Sequence, residues 1–444
     1  MKICVICSYS LSMPGGVQNQ SILLSRQFVA DGHEVLLIAP GAMPEGIPHE
    51  TYSPPEGHDK SKRTAVPDRK QGNFGSRLAA RRFRKDSQGK RPAKSYSSAF
   101  PETARPRRPD TMVFHTVGKS SAVPANGSVA PVTLSPRAAY EMLKTVRGWS
   151  PDVVHIHEPF VPVLSLAASL RAKKANGVKP AIVAATFHRS GAGRAYKTAG
   201  LFFRGIYSKL NLCYAVSKPA QHTLAKVVGV KNSQRVSIVF NGVDLEYLSG
   251  INPHLGSNED IFDLCFVGRL EPRKGLEVLL EALAGLEGKI RLSVLGAGAE
   301  MARLQSKYSF LANVFWLGRL PEDEMYARVK GTDLLVAPAL GGESFGIVVL
   351  EAMALSVPVV CSNIPGHRAS AGDAALFVPP NDPEALRTAV ESLMKDPLLR
   401  EELVAKGLLR ARQFSVANLA KRYLADFAAS VAAAGNNPDL AEHG

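Results

Sequence analysis

The sequence predicts an α/β protein made of two doubly wound, Rossmann-like domains that face each other across a cleft. Three observations lead there. Short apolar runs alternate with longer segments of helical period, as expected of parallel strands joined by crossover helices. The first run, Lys2 to Cys7, is followed by a glycine turn at Gly15 and Gly16 and then by a helix. A second series of the same kind starts at Asp263 to Val267. At 444 residues and 45% apolar content, two or three ordinary domains with buried cores are expected.

In the first half, a helix from about Val17 to Ala30 follows the turn, and a strand runs from Glu34 to Ala39. The pattern then breaks. Residues 57–109 hold 16 Lys and Arg against 4 Asp and Glu, so most of the formal charge of +15 is local. This insert, about residues 50–110, has no hydrophobic period and reads as disordered or weakly ordered. A solvated loop or one docked on anionic lipid fits it. RNA fits less well, because Phe74, Phe83, Tyr96 and Phe100 offer little stacking. A helix from about Pro136 to Arg147 has Ser135 as N-cap, Pro136 at its first position and Gly148 as its end. Its stripe of Ala139, Met142, Leu143 and Val146 packs on its own domain. Arg137, Lys144 and Arg147 make the other side basic, which also suits a membrane surface. Asp152 to His157 and Ala181 to Thr186 read as strands.

The Asn-Gly turn in Val239-Phe240-Asn241-Gly242-Val243-Asp244 marks the passage between halves. Strands follow at Asp263 to Val267, Arg291 to Leu295, Asp333 to Ala337 and Val357 to Cys361. After the N-cap candidate Ser415, a helix is spaced by Val416, Leu419, Ala420, Tyr423 and Phe427. The domains are therefore drawn at 1–238 and 239–413, with 414–434 crossing back to the first and 435–444 a frayed tail. The five cysteines lie in apolar segments, and Cys4 and Cys7 sit inside a strand rather than at a helix start. They read as reduced core residues of a cytoplasmic protein. No signal peptide and no apolar span of membrane length is visible.

The chemistry concentrates in Gly341-Gly342-Glu343-Ser344-Phe345-Gly346-Ile347-Val348-Val349-Leu350-Glu351. A glycine-flexed loop and the start of an apolar stretch lie between its two carboxylates; if that stretch is helical, they lie about 12 Å apart along the axis, the span from ribose to hexose of a nucleotide sugar. The N–H groups that open the helix would face a diphosphate. Arg269 and Lys274 follow the first strand of the same half, at the end where doubly wound sheets bind ligands. Gly296-Ala297-Gly298 lacks the third glycine of a dinucleotide motif and reads as a nucleotide-facing loop. His155 and His157 share a strand face beside Glu158, but no further ligand cluster makes them a metal site.

These pieces resemble the retaining family 4 glycosyltransferases of GT-B fold. The matching segments are Pro14-Gly15-Gly16-Val17-Gln18, His155-Ile156-His157-Glu158-Pro159, Thr186-Phe187-His188, Asn241-Gly242-Val243-Asp244, Gly268-Arg269 with Arg273-Lys274-Gly275, and Gly341 to Glu351. Within that family the chain looks most like the actinobacterial phosphatidyl-myo-inositol mannosyltransferases, to which Asn126-Gly127-Ser128-Val129 adds. The resemblance implies a nucleotide-sugar donor in the second half, an acceptor in the first, no cofactor and no essential metal. It implies that Arg269 and Lys274 hold phosphates, that Glu351 binds ribose, and that Gly16 offers its N–H from the facing domain. Glu343 would order the hexose with Ser344 and the amides of Phe345 and Gly346, and His188 would lie beside the sugar. Tyr9, Gln18, Arg189 and Arg194 would meet the acceptor. Ser12, Phe160 and the run after His188 depart from the inositol-lipid pattern.

The expected function is thus hexosyl transfer, mannose from GDP-mannose first, to an inositol-lipid or other anionic polyol lipid, at the inner membrane face or free in the cytoplasm. A UDP-sugar with another acceptor is the alternative. An inactive sugar-nucleotide binder and a nucleic-acid binder acting through the basic insert are readings of other classes; nucleic acid is the less expected partner.

Overall fold

In the computed structural model, residues 1–13, 15–42, 50–51, 112–125, 128–175, 182–191, 196, 199–229, 235–254, 261–286 and 288–435 are described. The basic insert, Asn126-Gly127, Arg194 and the tail after Gly435 lie outside them.

The first lobe carries β1 (Lys2–Cys7), β2 (Glu34–Pro40), β3 (Glu50–Thr51), β4 (Val113–Val117), the hairpin β5 (Ser121–Ala125) and β6 (Ser128–Val132), then β7 (Val153–His157), β8 (Ile182–Phe187), β9 (Leu212–Ala215) and β10 (Val236–Ile238). Five of the six β1 residues are buried, as a central parallel strand covered on both faces requires. The sheet order is β10-β9-β8-β7-β1-β2-β4-β3. The chain leaves β1 for β2 on one side and returns at β7 on the other, so the winding reverses between β1 and β7.

The second lobe repeats the plan with β11 (Phe262–Val267), β12 (Ile290–Leu295), β13 (Val314–Gly318), β14 (Leu334–Ala337), β15 (Val359–Ser362) and β16 (Leu376–Val378). Its order, β13-β12-β11-β14-β15-β16, reverses between β11 and β14. Doubly wound sheets bind ligands beyond the carboxyl ends of the strands at such a reversal. Each lobe therefore offers one such crevice.

Five helices position the site. Gly16–Ala30 (α1) follows β1 and Pro136–Trp149 (α2) follows the hairpin; Ile347–Ala354 (α3) and Pro365–Ala371 (α4) follow β14 and β15, and Val416–Gly435 (α5) ends the described chain. α2 runs past Gly148, the expected stop, because Trp149 is buried and lies under the Lys2 ammonium, 4.9 Å from the ring centroid. The next residue, Ser150, takes the left-handed conformation instead (φ 52°). Met142 and Val146 of its stripe are fully buried, while Arg137, Lys144 and Arg147 are exposed. α5 returns to the first lobe: Phe427 packs edge-on against Phe28 of α1, and the Tyr423 hydroxyl is 3.1 Å from Thr186 Oγ1 on β8. The five cysteines are buried and free. Burial raises every thiol, Cys7 to about 11, which keeps them protonated.

Both lobes belong to one compact unit, and two strands of chain cross between them side by side. Val243 pairs with Ser415, and Phe240, Phe345 and Phe414 pack together with centroids 5.0–5.6 Å apart. Gln20 of α1 fastens this crossing. Its Nε2 donates to the Gly242 carbonyl at 3.0 Å, and the Gly242 N–H donates to its Oε1 at 2.6 Å. A Cβ on Gly242 would press on Val416 and Leu419 at 3.1 Å, so glycine is what lets the strands meet. Gln20→Ala leaves two buried backbone groups unpaired, at about 1–3 kcal/mol each. Calorimetry should show a fall in Tm of about 2–4 °C per kcal/mol; an unchanged Tm would show that water replaces the clamp.

Candidate active site

The two loops at the second lobe's reversal are built onto each other. The Leu340 N–H donates to the Arg273 carbonyl at 2.8 Å. Gly275 takes φ 70°, and a Cβ there would lie 2.0 Å from the Pro338 oxygen. On this frame charges alternate. Arg269 meets Glu271 at 3.0 Å, Glu271 meets Arg273 at 3.0 Å, and Glu343 accepts from both Arg273 (2.8 Å) and Lys274 (2.7 Å). Three cations against two carboxylates leave one positive charge for an anion. Burial alone would raise the Glu343 carboxyl, but Lys274 and then Arg273 outweigh it and lower it to about 2.

Glycines set where the next helix starts. Gly341, Gly342 and Gly346 all have positive φ (156°, 74° and 74°), so α3 begins at Ile347 and Glu343 lies on the loop before it. The glycine-flexed loop expected between the two carboxylates is there, and because the helix covers only the second part of the interval, the spacing taken from helical rise does not apply. Gly346 gives way to His367 of α4, whose Cδ2 would lie 2.7 Å from a Cβ. His367 is buried, with Nδ1 3.0 Å from the Ser362 carbonyl oxygen. Gly366, its neighbour, lets α4 approach the Glu343 carbonyl, 2.3 Å from where a Cβ would stand. Ser344 is half-buried beside Phe345, whose side chain belongs to the aromatic crossing between the lobes. Only the backbone of Phe345 is left to face a ligand.

Glu351, on α3, lines a partly open pocket. Gly16 and Asn19 of α1 line the opposite wall, with Tyr326 and Glu322 beside Glu351. Gly16 has nothing within 4 Å of a notional Cβ, so the open side of the turn faces the cleft. At Gly15 the neighbour is the Gln18 side chain, 2.5 Å away. Burial raises the Glu351 carboxyl to about 7; the Tyr326 hydroxyl, donating at 3.0 Å, lowers it, and Glu322 raises it further. Gly296 and Gly298 have a plainer task than the sequence suggests. Cβ atoms there would meet the Gly268 and Leu270 carbonyls at 1.8 and 2.3 Å, so they let the Arg269 loop lie flat on its neighbour.

At the first lobe's reversal stand His157, Glu158 and His188. His188 Nε2 is 2.9 Å from His157 Nδ1, and the His188 backbone N–H donates to Glu158 at 2.5 Å. Burial pushes the Glu158 carboxyl up to about 7, against the His188 and Arg189 contacts. Burial also holds the imidazoles of His155, His157 and His188 below their ordinary range, so all three are neutral at pH 7. Among the described residues no cluster of three or more His, Cys, Asp or Glu could hold a metal ion. Tyr9 bridges to Val132 and is close enough to Glu158 and Arg189 to feel their charges. The Arg189 guanidinium lies over Tyr196 at 4.6 Å and donates to the Gly191 carbonyl. Arg194 lies outside the described residues. Phe160, which departs from the expected acceptor pattern, is stacked on Phe203 at 4.3 Å and is core.

The structure thus brings Gly16 and Glu351 to one cavity, and gathers Arg269, Lys274 and Glu343 at one strand end. It places His188, Arg189 and Tyr9 around Glu158. Sequence reasoning gave no role to Tyr326, His367 or Gln20. The His-Ile-His-Glu-Pro run was the one visible sign of the His157 and Glu158 contacts.

Residues 98–247 match the model of Glycosyltransferase Family 4, and residues 251–410 that of Glycosyl transferases group 1. A phosphatidyl-myo-inositol mannosyltransferase of Mycobacterium leprae is 29% identical over 430 residues, spanning 93% of each chain. Its counterpart in Mycolicibacterium smegmatis is 28% identical over 425 residues, 93% of this chain and 90% of the other. The crystal structure of HepE from Anabaena, solved with UDP and glucose, superposes with a TM-score of 0.66 at 14% identity. It covers 96% of this chain and 99% of the other, a likeness of fold alone. With a match on each lobe, the chain belongs to the GT-B glycosyltransferases.

Proposed function

We propose that this glycosyltransferase moves mannose from GDP-mannose to a phosphatidylinositol-type or other anionic polyol lipid, with retention of configuration and without an essential metal. The carrying observation is the charge chain from Arg269 to Glu343 and Lys274, set at the strand ends before α3. Sugar and acceptor are proposed from the two mannosyltransferases that match over nine-tenths of the chain.

In this reading Arg269 and Lys274 hold the diphosphate, Glu351 takes the ribose and Gly16 adds its N–H from the facing lobe. Glu343 orders the hexose with Ser344 and the amides of Phe345 and Gly346, and His188 reaches the sugar from the first lobe. The acceptor hydroxyl attacks the anomeric carbon on the face from which the diphosphate departs. The carbon–oxygen bond to phosphate breaks as the glycosidic bond forms, and the hydroxyl proton passes to the leaving phosphate oxygen. Cations fixed before the reaction stabilise the departing charge. Gly16 of one lobe and Glu351 of the other border one pocket, so the lobes part to take up the donor and close again over it. Tyr9, Gln18 and Arg189 face the acceptor, Arg194 lies outside the described residues, and the exposed basic side of α2 meets an anionic membrane surface. No described helix is long and apolar enough to cross a membrane.

A panel of GDP- and UDP-sugars with phosphatidylinositol vesicles, with and without EDTA, tests this. Mannosyl transfer that survives EDTA with an α-linked product is expected. Turnover of a UDP-sugar alone would replace the donor, and a folded protein that binds and turns over none of them would sink the enzyme reading.

A further inference from the structure

His157 and Glu158 end β7 side by side, and both reach across to the end of β8. In the register of these strands His157 lies opposite Thr186, and the Glu158 N–H donates to the Thr186 carbonyl at 2.9 Å. Glu158 then adopts φ 59°, a left-handed conformation that non-glycine residues rarely take. That turn sends its carboxyl across to the end of β8, where it accepts the His188 backbone N–H. The His157 ring instead takes the His188 ring, stacked at a centroid distance of 5.1 Å and joined at 2.9 Å. The three residues are 0%, 4% and 6% exposed.

His188 is therefore held at its backbone and at one ring nitrogen. Its other nitrogen, Nδ1, is buried and has no partner in the protein. Buried polar atoms are nearly always paired, so an unpartnered one calls for a ligand or a water. The two neutral rings share one proton. If His157 donates it from Nδ1, His188 carries its own proton on Nδ1 and offers a donor. If His188 donates, Nδ1 is left as an acceptor. The state of His157 thus decides what His188 presents.

We propose that His157 and Glu158 act together as positioning residues that fix the place and the tautomer of His188 for the transfer reaction. Glu158 sets the backbone and His157 sets the ring. The proposal rests on the reading of His188 as a sugar-facing residue, so its test includes a measurement that needs no turnover.

Nitrogen-15 NMR of the histidine-labelled full chain, with the His188 signals identified by loss in His188→Gln, should show His188 in a single neutral tautomer. His157→Asn keeps a polar atom near the place of Nδ1 and should preserve that pattern. His157→Gln, which moves the polar atom to the place of Nε2, and His157→Phe, which removes it, should both scramble it. Turnover should fall about 10- to 100-fold in the Gln and Phe variants and in Glu158→Ala. It should stay within about threefold of the parent in His157→Asn and Glu158→Gln, which retain the accepted contact. An unaltered His188 pattern in folded His157→Gln would overturn the proposal. So would an altered pattern with unaltered turnover. Absence of turnover in the parent chain would count against the transferase reading alone, since the NMR comparison stands without it.

Discussion

Glu343→Gln is expected to lower transfer by about 100- to 1,000-fold, mostly in kcat, the range lost when one preorganised contact to a developing charge is removed. The glutamine fills the same volume but no longer neutralises Lys274 and Arg273, which both meet the carboxylate within 3 Å. Those cations lose the carboxylate that holds them in place, and in the proposed site the hexose loses the acceptor that would order it. Stability should move as well. A carboxyl held near 2 contributes stability that is present above its ordinary value of 4.5 and is lost as pH falls through that window. Removing one member of a buried pair is typically destabilising by about 3–5 kcal/mol. Parent and variant should therefore differ in Tm at pH 7 and converge as the pH approaches 2. Retained turnover in a product-formation assay, or equal melting at pH 7, would remove Glu343 from the centre of the site.

The parts of this arrangement that local pattern can encode were legible beforehand. Five consecutive buried residues in β1 leave little choice but a central strand, and the repeat at β11 announces the second lobe. The cations at the end of β11 and Glu343 after β14 converge because a doubly wound sheet brings those two strand ends together. What local pattern cannot encode was missed. Tyr326 reaches Glu351 from a separate helix, and Gln20 grips a glycine 222 positions away. Neither sits in a motif. The left-handed turn at Glu158 was invisible for a different reason: only glycine advertises positive φ in a sequence. Three glycines at 341, 342 and 346 did advertise it, and reading them strictly would have started α3 at Ile347. Phe160 departs from the family pattern in the sequence, and what the sequence does not show is its place: it stacks on Phe203 and packs against Phe187 in the core.

Glu351 carries the second large effect, and its sign runs against that of Glu343. Burial raises its carboxyl to about 7, Tyr326 tempers this, and Glu322 adds to it. At pH 8 it is ionised, and in the proposed site it accepts the ribose hydroxyls; at pH 6 it is mostly protonated and offers one acceptor fewer. The donor KM should therefore rise as the pH is lowered from 8 to 6, while kcat changes little. Glu351→Gln should raise the donor KM about 10- to 100-fold at pH 8, the worth of hydrogen bonds to a charged acceptor, and flatten this dependence. Folding should respond the other way. Between its ordinary value of 4.5 and about 7, the folded chain holds a proton that the unfolded chain releases, so stability declines as pH rises through that window. The glutamine variant carries no charge to bury. Above pH 7 it should be more stable than the parent by on the order of 1–3 kcal/mol, the lower end if water in the bordering cavity screens the carboxylate. A variant that loses donor affinity yet melts higher at pH 8, with the gap closing toward pH 5, is the expected signature. A donor KM that ignores pH between 6 and 8 would take Glu351 out of the ribose site, and a variant that melts lower at pH 8 would show that its charge is compensated in the folded chain.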